Sequence, residues 1–88
     1  MNQPLDLEDL NRRLTTLAAQ QGLTAAGRRN SPDDPMLQLE AVSWRDGKRL
    51  NYARSHPVSE VERLGPVAVA NAFVETARQE LPRGTANP

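Results

Sequence analysis

Hydrophobic and polar residues alternate from Met36 to Ser55, and this pattern predicts a β-hairpin. Asp46-Gly47 lies near the centre of the segment and supplies the two positive φ angles that a two-residue type I′ turn requires. Counting outward from the turn places Arg45 opposite Lys48 and fixes the pairing of every later residue. We expect the core face of the hairpin to carry Leu37, Leu39, Ala41, Leu50 and Tyr52.

The other face of the hairpin carries the only tryptophan of the chain, Trp44, beside Arg49. Because globular domains seldom leave their single tryptophan exposed, we favour burial of Trp44 against a neighbouring strand or loop. If it is exposed, this face has the aromatic and arginine composition of a binding hot spot, with Val42 and Asn51 as the next pair along.

Leucines at positions 7, 10, 14 and 17 predict an amphipathic helix before the hairpin. Asp6 is the expected N-cap, and Gly22 is the expected residue just beyond the helix end. The leucines cover little more than one heptad, so we interpret them as a core face rather than a coiled-coil interface.

A second helical region follows the hairpin. His56-Pro57 should end the last strand, because proline cannot donate to a strand ladder. Ser59 and Glu62 have capping-box spacing, with Ser59 at the N-cap of a short helical turn that ends at Leu64. Pro66 then suits the first position of a longer helix, whose apolar stripe comprises Ala70, Phe73, Val74, Ala77 and Leu81.

These elements predict an α+β fold in which two helices pack on one face of a small two- or three-stranded antiparallel sheet. The third strand depends on residues 23 to 29, which we interpret as a short edge strand, with a loop as the alternative. The whole chain, residues 1–88, forms a single small domain, with an ordered core from about residue 5 to residue 81 and a flexible tail over residues 82–88.

Composition limits both the core and the chemistry. Only 38% of the residues are hydrophobic, so the core is thin, and a partner or self-association would add stability. The eleven basic and eleven acidic residues cancel, so charge does not direct the chain to nucleic acid. No apolar run could span a membrane and no signal-peptide layout is present, so we expect a cytoplasmic protein. A composition rich in Ala and Arg and poor in Lys is typical of GC-rich bacteria and their phages.

Catalytic groups are scarce. The chain has no cysteine and one histidine, His56, at a strand end. The acidic pairs, Asp33-Asp34 and Glu60 with Glu62, fit turn formation and helix capping better than acid–base chemistry. We therefore expect no catalytic residues, no metal site and no cofactor, and we do not expect an enzyme.

Nucleic-acid binding is an alternative, because Arg28, Arg29, Arg45, Lys48, Arg49 and Arg54 are grouped on the predicted sheet. The order helix, three strands, helix is similar to that of the double-stranded-RNA-binding domain. That family begins its second helix with lysines that contact phosphate. The matching stretch here, Gly65 to Asn71, contains no basic residue, so the resemblance does not extend to the phosphate-binding motif.

The sequence is most consistent with a non-catalytic protein-binding regulator, adaptor or inhibitor, of the kind that phages and mobile elements encode. We expect it to cover a partner protein's surface through the hairpin. The primary contact residues would be Trp44, Arg45, Lys48, Arg49 and Asn51, and the secondary ones Arg28 and Arg29. The alternatives are a small RNA- or DNA-binding domain and a structural subunit of a homodimer or larger homo-oligomer.

Overall fold

The computed structural model describes residues 4–86 and has an α+β fold. Its elements are, in chain order, α1 (Leu7–Gln20), β1 (Thr24–Arg28), β2 (Met36–Arg45), β3 (Lys48–Pro57), α2 (Val58–Leu64) and α3 (Pro66–Glu80). The predicted fold class is confirmed, with the minor difference that the helical turn after the hairpin is a helix of its own, α2. In the part of the chain that the structure describes, no helix is both long and apolar enough to cross a membrane.

Helix α1 begins and ends where its sequence predicts. The Asp6 side chain accepts a hydrogen bond from the Asp9 N–H at 3.0 Å and caps the first turn. At the other end Gly22 has a φ of 72°, and the Leu23 N–H donates to the Ala18 carbonyl at 2.8 Å. This is the Schellman arrangement, in which a left-handed glycine lets the chain reverse over the last turn of the helix.

The sheet has the order β1-β2-β3, and both strand pairs are antiparallel. Arg45 lies opposite Lys48, and the predicted register holds along the hairpin as far as Met36 opposite Pro57. Asp46 and Gly47 have φ angles of 52° and 75°, which are the positive values of a type I′ turn. The hairpin prediction is therefore confirmed.

Strand β1 settles the sequence ambiguity in favour of a three-stranded sheet. Its five residues pair with β2 from Thr24 opposite Val42 to Arg28 opposite Gln38. The strand lies at one edge, as expected from its weak hydrophobicity, and β3 lies at the other.

All three helices lie on one side of the sheet, which we call the inner face. Helix α1 packs on β1 and on α3, and the leucines Leu10 and Leu14 are fully buried, which agrees with a core face. The buried core is completed from the sheet mainly by Leu37, Leu39 and Ala41 of β2. Leu50 and Tyr52 of β3 share this face but are only half-buried, because the most extensive packing of a helix on the sheet is that of α1 on β1, at the opposite edge.

The predicted capping box is wrong. Helix α2 begins at Val58, two residues earlier than it would with Ser59 as its N-cap. Its N-cap is Pro57, and no side chain caps it. Strand β3 runs directly into the helix, since the Val58 N–H donates to the Pro35 carbonyl at 2.8 Å and the Val58 side chain is buried. The Glu62 carboxylate instead accepts a hydrogen bond from the Leu5 N–H at 2.8 Å.

The C-terminal segment returns to the sheet. Thr85 forms an isolated antiparallel bridge with Trp44, within the stretch that the sequence predicts as a flexible tail. The last two residues of that predicted tail, 87 and 88, lie outside the described residues, as do residues 1–3 of the predicted domain.

Candidate binding face of the sheet

The side of the sheet opposite the helices, which we call the outer face, is covered by no helix of the described chain. Strand alternation puts every second residue of each strand on this face, and none of them is fully buried. From β1 it carries Thr24, Ala26 and Arg28; from β2 Met36, Gln38, Glu40, Val42 and Trp44; and from β3 Arg49, Asn51, Ala53, Ser55 and Pro57.

Trp44 lies at the turn end of the outer face. It is half-buried and does not belong to the core cluster, so the burial favoured from the sequence holds only in part. Val42 is the next outer-face residue of β2 away from the turn and is also half-buried. Arg49 lies opposite Trp44 on β3 and is exposed. This end of the face therefore combines accessible apolar surface with a guanidinium group.

Glu40 lies at the centre of the outer face and is contacted from β3. Arg49 Nη2 lies 3.3 Å from Glu40 Oε1, and Asn51 Nδ2 donates to Glu40 Oε2 at 3.0 Å. The side chains of Arg49 and Glu40 are 49% and 46% exposed, so the ion pair is screened by water and contributes at most about 1 kcal/mol. A partner's carboxylate could therefore replace Glu40 at Arg49 at small cost.

A second polar pair lies toward the other end of the face. Arg28 Nε donates to Gln38 Oε1 at 3.3 Å across the β1–β2 pairing. The contact is exposed, and it keeps the Arg28 guanidinium close to the sheet surface. The outer face thus presents two arginines, Arg49 toward the turn end and Arg28 toward the other end.

The residues predicted for binding do not all share this face. The structure brings together Trp44, Arg49, Asn51 and Arg28, which all lie on the outer face. Arg45 and Lys48 flank the turn and alternate with Trp44 and Arg49, so they lie on the opposite side of the ribbon, exposed at its tip. Arg29 lies beyond β1, where its Nε donates to the Asp34 carbonyl at 2.6 Å.

The predicted contact residues did not include Met36, Gln38, Glu40 and Val42, which also lie on the outer face. The register derived from the Asp46-Gly47 turn already places all four on the same side as Trp44. The role of Gln38 as the partner of Arg28 could not be obtained in this way, because it depends on how β1 pairs with β2.

The basic and aromatic residues of β3 do not form one stacking surface. Arg54 and Tyr52 lie on the inner face, where Arg54 Nη1 donates to the Tyr52 hydroxyl at 3.2 Å. The Tyr52 ring packs on Phe73 of α3, with 5.7 Å between the ring centroids. Base stacking on the sheet requires aromatic rings on the same face as the phosphate-binding cations, and Tyr52 is on the face opposite Arg49.

The chain matches no protein-family model, and no curated protein or solved structure is significantly similar to it.

Proposed function

We propose that this protein is a non-catalytic binding protein, a regulator, adaptor or inhibitor, that acts by covering a partner protein's surface with its outer sheet face. The observation that carries the proposal is the uncovered outer face itself, which joins the half-buried Trp44 and Val42 to the exposed Arg49 and Asn51. Tryptophan and arginine are among the residues most enriched in binding hot spots.

Energetic considerations support the same assignment. The domain is small and its core is thin, so covering further apolar surface would stabilise it. The central ion pair at Glu40 is exposed and contributes little to folding. The same side chains would contribute more to an interface than they do to folding. In an interface, an acidic group of a partner would meet Arg49 with less competing water.

Affinity capture from the native host tests the proposal. The wild type is compared with a double variant, Trp44→Ala with Arg49→Glu, and each capture is run with and without nuclease. The matched control is Arg78→Glu, which reverses an exposed charge on α3, on the opposite side of the molecule from the outer face. Circular dichroism establishes that all three proteins are folded.

We expect a protein partner that survives nuclease, is retained by Arg78→Glu and is lost with the double variant. Recovery of nucleic acid, abolished by nuclease, would replace the proposal with the RNA- or DNA-binding alternative. Recovery of the chain alone, at a mass of two or more copies, would replace it with the structural homo-oligomer.

A further inference from the structure

The two edges of the sheet differ in whether their outward backbone groups have hydrogen-bond partners. At the β1 edge, the Asn11 side chain on α1 hydrogen-bonds both backbone groups of Gly27. The Gly27 N–H donates to Asn11 Oδ1 at 2.5 Å, and Asn11 Nδ2 donates to the Gly27 carbonyl at 3.0 Å. Ala25 and Gly27 are the two β1 residues whose N–H and C=O point away from β2. The Asn11 side chain satisfies both groups of Gly27 and so blocks strand addition at that position.

The β3 edge has no such protection. Arg45 and Lys48 close the type I′ turn as a hydrogen-bonded pair, so every second pair after them is hydrogen-bonded within the hairpin. The intervening β3 residues direct their N–H and C=O groups away from β2, and these residues are Arg49, Asn51, Ala53 and Ser55. Within residues 4–86, no other backbone or side chain hydrogen-bonds these groups.

The backbone of Trp44 confirms this alternation independently. Trp44 lies opposite Arg49 in a non-hydrogen-bonded pair, and its own N–H and C=O point to the other edge of β2, where they bond Thr85. The same geometry requires the Arg49 groups to point outward at the β3 edge. Four consecutive outward positions offer a register for an added strand.

An apolar groove of about 170 Å³ runs beside this edge on the inner face, between β3 and the two C-terminal helices. Tyr52 and Arg54 line it from the strand, and Leu64 lines it from α2, where that leucine is 46% exposed. Ala68 and Ala72 of α3 form part of the same wall and are exposed. A strand added beside β3 would direct alternate side chains toward this groove.

Charge identifies the kind of strand. Strand β3 carries Lys48, Arg49 and Arg54 and contains no acidic residue. Glu60 is the one acidic side chain among the described residues that line the groove. A second copy pairing at this edge would place two strands with three positive charges each side by side, and their mutual repulsion disfavours this pairing. An acidic strand would instead meet Arg49 on the outer face.

We infer that the β3 edge accepts an extended acidic segment of a partner protein as a fourth, antiparallel strand. Acidic side chains of that segment would lie on the outer face beside Arg49, and alternate apolar side chains would lie over the groove. Main-chain hydrogen bonds supply affinity in this mode of recognition, and alternate side chains supply specificity. The inference rests on the proposed function and specifies how the partner is held.

The test uses a synthetic peptide of roughly seven residues in which glutamate and valine alternate, titrated into the isotope-labelled protein. We expect amide hydrogen exchange to slow at least about tenfold at Arg49, Asn51, Ala53 and Ser55. The interleaved amides at 50, 52 and 54 are bonded to β2 already, so their exchange should change little. A peptide with lysine in place of glutamate should bind at least about tenfold more weakly.

N-methylated peptides test the hydrogen bonds without altering the protein. In an antiparallel pair, directly opposed residues share a face and exchange both backbone bonds at hydrogen-bonded positions. Methylating the glutamate amides should therefore abolish binding, whereas methylating the valine amides should leave most of it. On the protein side, Ala53→Pro removes one outward N–H and no hairpin bond, and Ala53→Thr is the control that retains the N–H.

Three results would overturn the inference: absence of the alternating protection, equal binding of the lysine peptide, or protection of the four amides by protein concentration alone, which would indicate a second copy at the edge. The outcome is separate from that of the outer-face capture experiment. Loss of a captured partner through the Trp44 and Arg49 substitutions, without edge protection by the peptide, would leave the proposed function standing and remove only strand addition.

Discussion

Thr85 pairs with Trp44 through two backbone hydrogen bonds, each 2.8 Å long. The bridge lies at the edge of β2 that β1 occupies, one hydrogen-bonded position beyond Thr24 opposite Val42. The C-terminal segment thus continues the sheet where β1 stops. It also helps to cover Ser43, which is fully buried and whose hydroxyl has no hydrogen-bond partner in the described part of the chain.

Substitution of Gly84 should release this segment. A Cβ at Gly84 would lie 3.0 Å from the carbonyl carbon of Trp44 and closer still to its oxygen, and that backbone cannot move without breaking the pairing. We therefore expect Gly84→Val to detach residues 82–86 from β2. The expected signs are a red shift of Trp44 emission and stronger quenching by acrylamide.

The control for the Gly84 substitution is Arg83→Ala, which changes an exposed neighbour in the same segment and should leave Trp44 emission unchanged. Emission that is identical in Gly84→Val and the wild type would show that the bridge does not control the environment of Trp44.

The hairpin turn supplies a second prediction, at Gly47. Its φ of 75° strains any residue with a Cβ, while the surrounding space is open, with no atom within 4 Å of the Cβ position. Gly47→Val should therefore destabilise the fold through backbone strain alone, by about 1–3 kcal/mol. Urea denaturation followed by circular dichroism measures this loss.

The matched control at this position is Gly47→Asn, because asparagine tolerates a left-handed backbone better than other residues with a Cβ. We expect it to cost clearly less than valine. Equal losses for the two variants would mean that the turn does not retain its type I′ geometry in solution.

Where local chemistry determined the structure, the sequence was sufficient. The Asp46-Gly47 turn fixed the register of the hairpin, and with it the common face of Trp44, Arg49 and Asn51. Asp6 and Gly22 likewise marked the ends of α1. Each of these signals acts through backbone geometry or a hydrogen bond within a few residues, so no knowledge of the tertiary packing was needed.

Features that depend on long-range contacts were not predicted from the sequence. Ser59 and Glu62 have capping-box spacing, yet the helix begins at Val58, whose side chain is buried. The Glu62 carboxylate accepts a hydrogen bond from the Leu5 N–H instead. The bridge from Thr85 to Trp44 uses only backbone groups, which leave no side-chain pattern in the sequence. The half-burial of Tyr52 depended on where the helices lie across the sheet, which strand alternation alone does not specify.

Acid sensitivity should be traceable to Asp9 in the first turn of α1. Hydrogen bonds from Arg13, whose Nε lies 3.0 Å from Asp9 Oδ2, and from Arg12 lower the pKa of Asp9. A carboxyl with a lowered folded-state pKa contributes stability above its unfolded-state pKa and loses it as the pH falls through the folded-state value. Asp9→Asn should therefore destabilise the protein at neutral pH, and its difference from the wild type should shrink in acid.

Urea midpoints measured from neutral pH to about pH 2 test the Asp9 prediction. Asp33→Asn is the control, because it removes the same charge from an exposed residue of the β1–β2 turn. Its difference from the wild type should remain small throughout. A gap between Asp9→Asn and the wild type that does not narrow in acid would contradict the role given to the two arginines.

The contact of Asn11 with Gly27 at the β1 edge yields the last prediction. Asn11→Ala removes both hydrogen bonds to the buried Gly27 and leaves its N–H and C=O facing the space vacated beneath α1. Because buried polar groups that lose their partners cost more than exposed ones, we expect a loss of about 1–3 kcal/mol in the free energy of unfolding. Hydrogen exchange at the Gly27 amide should accelerate at the same time.

The matched control is Asn71→Ala on α3, the same chemical change at an exposed residue, which should stay within about 0.5 kcal/mol of the wild type. Equal effects at the two positions would show that Asn11 does not protect this edge.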